Sequence, residues 1–107
     1  MPWMPRALLA CALVLSTPAL AGDIAAGREA ARQCMACHGL DGLARQPDAG
    51  NLAGQTEIYL REQLKAYRSG KRRHPQMNVI AQGLSDEQIE DLAAWYSAIE
   101  IEVRMPE

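Results

Sequence analysis

Three segments of the chain repeat apolar residues at the spacing of an α-helix, and a residue that favours a helix start precedes each of them. In the last segment, for example, Ile89, Leu92, Ala93 and Tyr96 share one face. The segments cover residues 24–35, 57–69 and 86 to about 100, behind Asp23, Thr56 and a capping box of Ser85 and Gln88. No segment alternates apolar and polar residues with a period of two, so the sequence predicts an all-α fold with three main helices.

Two stretches that contain glycine and proline separate these helices. They run from 39 to 55 and from 71 to 84, and we predict both to be irregular because neither shows a clear helical or strand pattern. Long loops without secondary structure are uncommon in a compact domain unless they carry a function. The pattern therefore favours two long loops wrapped around a ligand.

Residues 1–21 have the composition of a secretory signal peptide. Arg6 precedes an unbroken apolar run at 7–15, and 19–21 (ALA) has the small-x-small pattern of a cleavage site. The run has nine residues, whereas a membrane span needs about 20, so a retained anchor is the weaker alternative, as is a lipoprotein box ending at Cys11. We expect cleavage to leave residues 22–107 as one domain, exported to the periplasm with no stable membrane insertion.

Composition narrows the possible classes of function. With 107 residues and a formal net charge of −2, the chain is too short for a multidomain enzyme and lacks the positive charge of a polybasic nucleic-acid binder. The whole chain has no Phe, two Trp and three Tyr, and because Trp3 precedes residue 22, residues 22–107 have little apolar bulk for a core. Small domains of this kind often need a metal or a cofactor.

The run CMACH at 34–38 is a C-x-x-C-H motif, typical of covalent haem c attachment. On a helix Cys34 and Cys37 lie one turn apart, so both sulfurs can bond to the vinyl groups at one edge of a porphyrin. His38 follows directly and can bind the iron as the proximal ligand. The alternatives fit less well: a zinc site would need His74 as its fourth ligand, a thioredoxin-like pair needs a βαβ setting, and a plain disulfide leaves His38 without a role.

The second axial ligand must come from another part of the chain. Met77 is the best candidate because it lies in the predicted loop before the last helix. Met35 is a weaker candidate because it lies inside the attachment motif, and Met105 is weaker because it is close to the C-terminus. His74 would give a bis-histidine iron and Lys71 an amine ligand, and an open sixth position is a further alternative.

Together these features resemble the small class I c-type cytochromes of the bacterial periplasm, and in particular one half of their di-haem members. The resemblance runs from about 22 to 99. Besides the attachment motif it rests on NLAGQ at 51–55, YL at 59–60 with QL at 63–64, Arg68 and Gly70, LSD at 84–86, and DLAAWY at 91–96. It implies a cytochrome c fold wrapped around one covalently bound haem c.

The resemblance also implies two contacts. The first and last helices should cross where Gly27 meets an aromatic ring, either Trp95 or Tyr96. The family usually has a proline at position 50, and the carbonyl there accepts a hydrogen bond from the proximal histidine. This chain has Gly50, which keeps the carbonyl but loses the fixed dihedral angle.

An iron bound by both His38 and Met77 has no free position, so the sequence predicts a one-electron carrier rather than an enzyme. The alternatives are a haem c subunit of a larger oxidoreductase, and a small-ligand sensor or peroxidase with an open position. We expect an apolar haem pocket with these candidate residues: Ile58, Leu60, Leu64, Tyr67, Val79, Ile80, Leu92 and Trp95.

Charge is distributed unevenly along the chain. Residues 63–85 contain five cations and no acid, whereas residues 86–107 contain seven acids and one arginine. The five cations are Lys65, Arg68, Lys71, Arg72 and Arg73. We hypothesise that they lie beside an exposed haem edge, where they balance the haem propionates or steer an acidic redox partner.

Overall fold

The computed structural model describes residues 1–4, 11–15 and 22–107. Its elements are α1 (Ile24–Ala30), a 3-10 turn (Ala31–Gln33), α2 (Met35–His38), α3 (Glu57–Ser69), α4 (Pro75–Gln82) and α5 (Asp86–Ala98). No strand occurs within these described ranges, and the predicted all-α class is confirmed. Most of the predicted signal peptide, including its cleavage site at 19–21, lies outside the described residues.

The predicted helix starts are confirmed by their capping hydrogen bonds. The Asp23 side chain accepts the N–H of Ala26 at 3.0 Å, and the Thr56 hydroxyl caps α3 in the same way. At the start of α5, Ser85 and Gln88 exchange both bonds of the capping box. Each cap satisfies a backbone donor that has no partner inside the helix.

The ends of the helices agree less closely with the predictions. The second helix ends as expected at Gly70, whose φ of 81° is left-handed. The first helix is shorter than predicted, because the Cys34 N–H bonds to the carbonyl of Ala31, three residues back, at 2.9 Å and so tightens the chain into a 3-10 turn. The last helix stops before Ile99, which is extended.

Residues 71–84 are not irregular throughout, and that prediction was wrong. Pro75 opens α4 at a first-turn position that suits its fixed φ, and the His74 side chain caps the helix by accepting the Met77 N–H at 3.3 Å. Histidine is not among the favoured N-cap residues, so the sequence carried no start signal here. Met77 consequently lies in the first turn of a helix rather than in a loop. The stretch 39–55 contains only turns and bends, as predicted.

The core is centred on α5, which packs against both α1 and α3, while α4 packs against α3. Ile89 and Leu92 of α5 are its largest fully buried side chains. The remaining buried members of the cluster are Ala31, Leu60, Leu84, Ala93 and Tyr96. This arrangement leaves the cavity described below between α3, α4, α5 and the segment around α2.

Helices α1 and α5 cross at Gly27. A Cβ atom at this position would lie 2.0 Å from the carbonyl oxygen of Asp91 and 2.8 Å from the Cβ of Trp95. Only a residue without a side chain permits so close an approach. The predicted contact of Gly27 with an aromatic residue is confirmed, and the aromatic residue is Trp95.

Candidate functional site

A cavity of about 480 Å³ opens between the 34–38 segment, α3, α4 and α5. Its volume is in the range of small-molecule and cofactor sites, and its wall is mainly apolar. Cys34, Cys37, His38 and Met77 all line it. The fold thus brings the predicted attachment motif and the predicted second axial ligand to one cavity.

The two thiols of the motif line the cavity where α2 begins and where it ends. Cys34 is the residue before α2 and Cys37 lies within it, so about one helical turn separates them. Both are half-buried and free of disulfide bonds. Burial raises the pKa of the free Cys34 thiol to about 11, and the neighbouring Cys37 shifts it in the same direction. This thiol is therefore protonated at neutral pH while it carries no substituent.

The imidazole of His38 is fixed by the following loop. Its Nδ1 lies 2.7 Å from the carbonyl oxygen of Gly50, and because a carbonyl only accepts, Nδ1 carries the proton. The other ring nitrogen, Nε2, is then a free lone-pair donor, which is the arrangement that metal-binding histidines use. The expected hydrogen bond to the carbonyl of residue 50 is confirmed, although glycine replaces the usual proline.

Met77 lines the cavity from the first turn of α4, next to a side chain that fixes this helix. The amide of Asn78 donates to the carbonyls of Tyr67 and Arg72, both at 2.8 Å, and its oxygen accepts the N–H of His74 at 2.8 Å. The bond to Tyr67 ties α4 to the end of α3, and the other two fix the turn that precedes α4. Sequence reasoning missed Asn78, since a single asparagine inside a helix gives no recognisable pattern.

His74, an alternative ligand in the sequence analysis, also lines the cavity, but both of its ring nitrogens face protein groups. Nδ1 accepts the Met77 N–H at 3.3 Å, and Nε2 lies 3.3 Å from a carboxylate oxygen of Asp48. A neutral ring that accepts at Nδ1 carries its proton on Nε2 and donates it to Asp48. Lys71, the other alternative, is exposed outside the cavity wall. This geometry favours Met77 as the ligand on the α4 side.

Five of the eight predicted pocket residues line the cavity: Leu60, Leu64, Tyr67, Ile80 and Leu92. The predictions for the other three were wrong. Ile58 and Val79 are 68% and 72% exposed and do not line the cavity. Trp95 instead packs at Gly27 and donates from Nε1 to the carbonyl of Leu40 at 3.0 Å.

Tyr96 lines the cavity, a position that was not predicted, since the sequence placed it on the apolar face of the last helix and offered it, with Trp95, as the aromatic contact of Gly27. Its hydroxyl donates to the carbonyl of Gly39 at 3.1 Å in a buried position. Burial raises the pKa of this phenol, so it remains a neutral donor across the physiological range. Because Gly39 follows His38, the bond connects α5 directly to the end of the attachment motif. The other lining residues that were missed include Tyr59, Asn51, Leu52, Gln55 and Gln63.

Of the five clustered cations, Arg72 is the one that lines the cavity. Its guanidinium lies 4.7 Å from the centre of the Tyr67 ring and donates to Gln63 at 2.6 Å. Arg68 has another role, since it bonds to Asp86 at 2.6 Å and to the carbonyl of Leu84 at 3.2 Å. That ion pair holds the pKa of Asp86 below its ordinary value and ties α3 to the start of α5. The remaining cations are Lys65, Lys71 and Arg73, which lie outside the cavity wall.

Comparison with known proteins identifies the class of protein. The Cytochrome c family profile matches residues 24–98. Cytochrome c-554(548) of Halomonas halodenitrificans is 49% identical over 83 residues, covering 75% of this chain and all of the relative. The crystal structure of cytochrome c4 from Pseudomonas stutzeri superposes with a TM-score of 0.70 at 37% identity, covering 75% of this chain and 47% of the other. A thiosulfate dehydrogenase electron acceptor of Stutzerimonas stutzeri is 40% identical over 96 residues, which are 82% of this chain and 44% of that protein.

The chain therefore belongs to the cytochrome c family, and it is a class I c-type cytochrome with an all-α cytochrome c fold. It spans about half the length of the cytochrome c4 and electron-acceptor relatives, but the whole length of cytochrome c-554(548). Cytochromes of this family are electron carriers that bind haem c covalently, and this chain contains one such domain. No helix in the described ranges is long and apolar enough to cross a membrane.

The residues of the cavity fit a haem c. Two thiols are spaced by one turn, an imidazole keeps one nitrogen free, and a thioether comes from a different helix. Sulfur and imidazole ligands of this kind hold haem iron in cytochromes c. The surrounding wall is supplied by apolar residues such as Leu60, Leu64 and Leu92.

Proposed function

We propose that the chain is a periplasmic electron carrier in which Cys34 and Cys37 form the two thioether bonds to the haem, and His38 and Met77 bind its iron. The observation that carries this proposal is the meeting of all four side chains at one cavity. The fixed orientation of His38 adds support, because the Gly50 carbonyl takes the proton-bearing nitrogen and leaves the other one free.

When bound, haem c supplies one-electron cycling between ferric and ferrous iron. Two protein ligands leave no position for a substrate, which restricts the site to electron transfer. The thioether of Met77 favours the ferrous state, and apolar side chains such as Leu64 and Ile80 disfavour the extra charge of the ferric state. These residues therefore raise the reduction potential.

The ligand assignment is tested with a pyridine haemochrome assay and with absorption spectra of wild type, Met77→Ala and Met105→Ala. Met105 is a matched control because it is 80% exposed near the C-terminus. We expect one haem per chain and a ferric iron-to-sulfur band in wild type and Met105→Ala, with the band lost in Met77→Ala. A band that survives in Met77→Ala, or one that disappears in Met105→Ala, contradicts the assignment.

Export is a separate part of the proposal. The apolar run at 7–15 and the small residues at 19–21 support removal of a signal peptide before Gly22. The mass and the N-terminal sequence of protein recovered from the periplasm test this. We expect a chain that starts at Gly22 and carries one haem, whereas a mature protein that retains residues 1–21 refutes the cleavage.

A second candidate function is that of a haem c subunit in a larger oxidoreductase. It is supported by the similarity to a thiosulfate dehydrogenase electron acceptor. Size-exclusion chromatography of a native extract, followed at the haem absorption, distinguishes the two functions. A free carrier elutes at the size of one small domain, and a subunit elutes together with a larger catalytic protein.

We also propose that the cation cluster steers an acidic redox partner, since Arg72 lies at the cavity and Arg73 follows it in an exposed position. The test compares rates of electron transfer with the redox partner over a range of ionic strength, for wild type, Arg72→Glu, Arg73→Glu and Arg104→Glu. We expect charge reversal at 72 or 73 to slow the reaction at low salt, with little effect at Arg104, which is exposed in the C-terminal segment. If the rates change neither with ionic strength nor with charge reversal, the steering is refuted.

A further inference from the structure

We propose that His74 is a positioning residue whose imidazole links the two chain segments that carry the axial ligands. This inference rests on the proposed ligation of iron by His38 and Met77. The juxtaposition that supports it is simple: one nitrogen of the ring contacts the backbone of Met77, and the other contacts Asp48 in the loop that orients His38.

On the α4 side, His74 acts as the N-cap of the helix. Its ring nitrogen Nδ1 accepts the Met77 N–H at 3.3 Å, and the backbone N–H of His74 donates to the Asn78 side-chain oxygen at 2.8 Å. The ring therefore sets the backbone of the first turn, and with it the place from which the Met77 side chain enters the cavity.

On the other side, Nε2 of His74 contacts Asp48 at 3.3 Å. Asp48 stands two residues before Gly50, whose carbonyl accepts from His38 at 2.7 Å. A short path of hydrogen bonds and backbone thus runs from Met77 through one imidazole to His38. The four residues at the turning points of this path, His38, Asp48, Gly50 and His74, all line the cavity.

The two segments are otherwise held by different parts of the fold. The 39–55 loop is tied to α5 by Trp95 and Tyr96, whereas α4 is tied to α3 by Asn78. Among the hydrogen bonds of the described residues, the His74–Asp48 contact is the one that joins the 39–55 loop to α4. Its loss should let the segments separate more often, and each separation lengthens the time that Met77 spends away from the iron.

The link can be broken from either end while the cap remains. Asp48→Ala removes the carboxylate, and Asp48 is on the surface with 69% of its side chain exposed, so the fold tolerates the change. His74→Asn keeps a favourable N-cap oxygen but is too short to reach Asp48 as well. Glu62→Ala is the matched control, because it removes an exposed carboxylate from α3 that lies outside the cavity wall.

The experiment measures how fast imidazole displaces Met77 from the ferric holoprotein, followed by loss of the iron-to-sulfur band, together with the reduction potential of each variant. The contact between His74 and Asp48 is long, at 3.3 Å, and the Asp48 side chain is exposed, so its loss should have a small effect. We expect imidazole to displace Met77 about threefold faster. Since a tenfold change corresponds to about 1.4 kcal/mol, a threefold change corresponds to ~0.7 kcal/mol. Both single variants should show it, and the double variant should show no more than either one. The reduction potential should fall in the same variants, because weaker Met77 ligation favours the ferric state.

Failure of the link differs from failure of the proposed function. If wild type shows the iron-to-sulfur band but His74→Asn and Asp48→Ala exchange ligands at the wild-type rate, the link is refuted and the ligation stands. Effects that multiply in the double variant, or an equal effect of Glu62→Ala, also refute the link. If wild type shows no such band, the Met77 assignment falls and this inference falls with it. Should His74→Asn fail to fold, Asp48→Ala against Glu62→Ala still decides the matter.

Discussion

The crossing of α1 and α5 predicts a large loss of stability from the smallest possible substitution, Gly27→Ala. The added Cβ would lie 2.0 Å from the carbonyl oxygen of Asp91, whereas an ordinary contact is about 3.5 Å. The obstructing atom belongs to the backbone of a helix and cannot rotate away. The two helices must therefore move apart by roughly 1.5 Å, as the difference between these two distances shows.

The expected free-energy change combines three effects. Overpacking of a close contact costs about 1–3 kcal/mol. Separation of the helices also stretches the 2.8 Å bond from the Asp23 N–H to the buried Asp91 carboxylate, which is worth about 1–2 kcal/mol. Against these losses, alanine gains up to about 1 kcal/mol over glycine inside a helix. We expect a net loss of about 2 kcal/mol in the free energy of unfolding.

Urea unfolding of the holoprotein, followed by far-ultraviolet circular dichroism, measures this change as a shift in the midpoint at constant slope. Gly83→Ala is the matched control. Its φ is −82°, and an added Cβ would meet the Ile80 carbonyl at an ordinary 3.5 Å, so stability should stay level or rise slightly. If Gly27→Ala raises the midpoint as the control does, the close approach of α1 and α5 is refuted.

Three further predictions follow from single contacts. Tyr96→Phe removes one of the two hydrogen bonds to the Gly39 carbonyl, which keeps the Gly42 N–H at 3.2 Å, and should cost about 0.5–1.5 kcal/mol in urea unfolding; an unchanged midpoint would contradict the bond. Asn78→Ala removes three hydrogen bonds of α4 and should cost about 2–3 kcal/mol and weaken the iron-to-sulfur band, whereas a full-strength band would show that Met77 is held by other contacts. The lowered pKa of Asp86 means that its ion pair with Arg68 stabilises the protein above the ordinary pKa of 3.8 and is lost as the pH falls through the lower folded value. The stability difference between wild type and Arg68→Gln, measured by urea unfolding at several pH values, should therefore narrow below about pH 4, and a constant difference down to pH 2 would rule out this coupling.

Much of the fold could be predicted because its helix starts are local events. Asp23, Thr56 and Ser85 each cap the backbone N–H three residues further on, so the sequence near each helix contains the whole signal. Helix α4 could not be predicted in this way. Its cap is a histidine, and the side chain that holds it, Asn78, bonds to the carbonyl of Tyr67 eleven residues earlier. Such a contact exists only after the chain has folded.

The candidate site also has a part that could be predicted from the sequence and a part that could not. The C-x-x-C-H run places the proposed attachment and ligand residues within five positions, so Cys34, Cys37 and His38 could be named from the sequence. The cavity wall was harder to predict, because the apolar pattern of a helix does not tell which buried side faces the core and which faces the cofactor. Tyr96 and Trp95 are neighbours on α5, and only the crossing with α1 decides that Trp95 packs at Gly27 while Tyr96 reaches the cavity.

The two sides of the cavity are supported unequally, and this predicts where the proposed site is weakest. His38 follows Cys37 directly, so with the thioether bonds in place its imidazole cannot move far from the iron even when the bond to iron opens. Met77 has no covalent tie, and its position depends on the hydrogen bonds of His74 and Asn78. Each such bond contributes only about 1 kcal/mol, so α4 opens far more often than the attachment motif. Exchange of axial ligands should therefore occur at Met77, and substitutions in α4 should change ligand binding while leaving haem attachment intact.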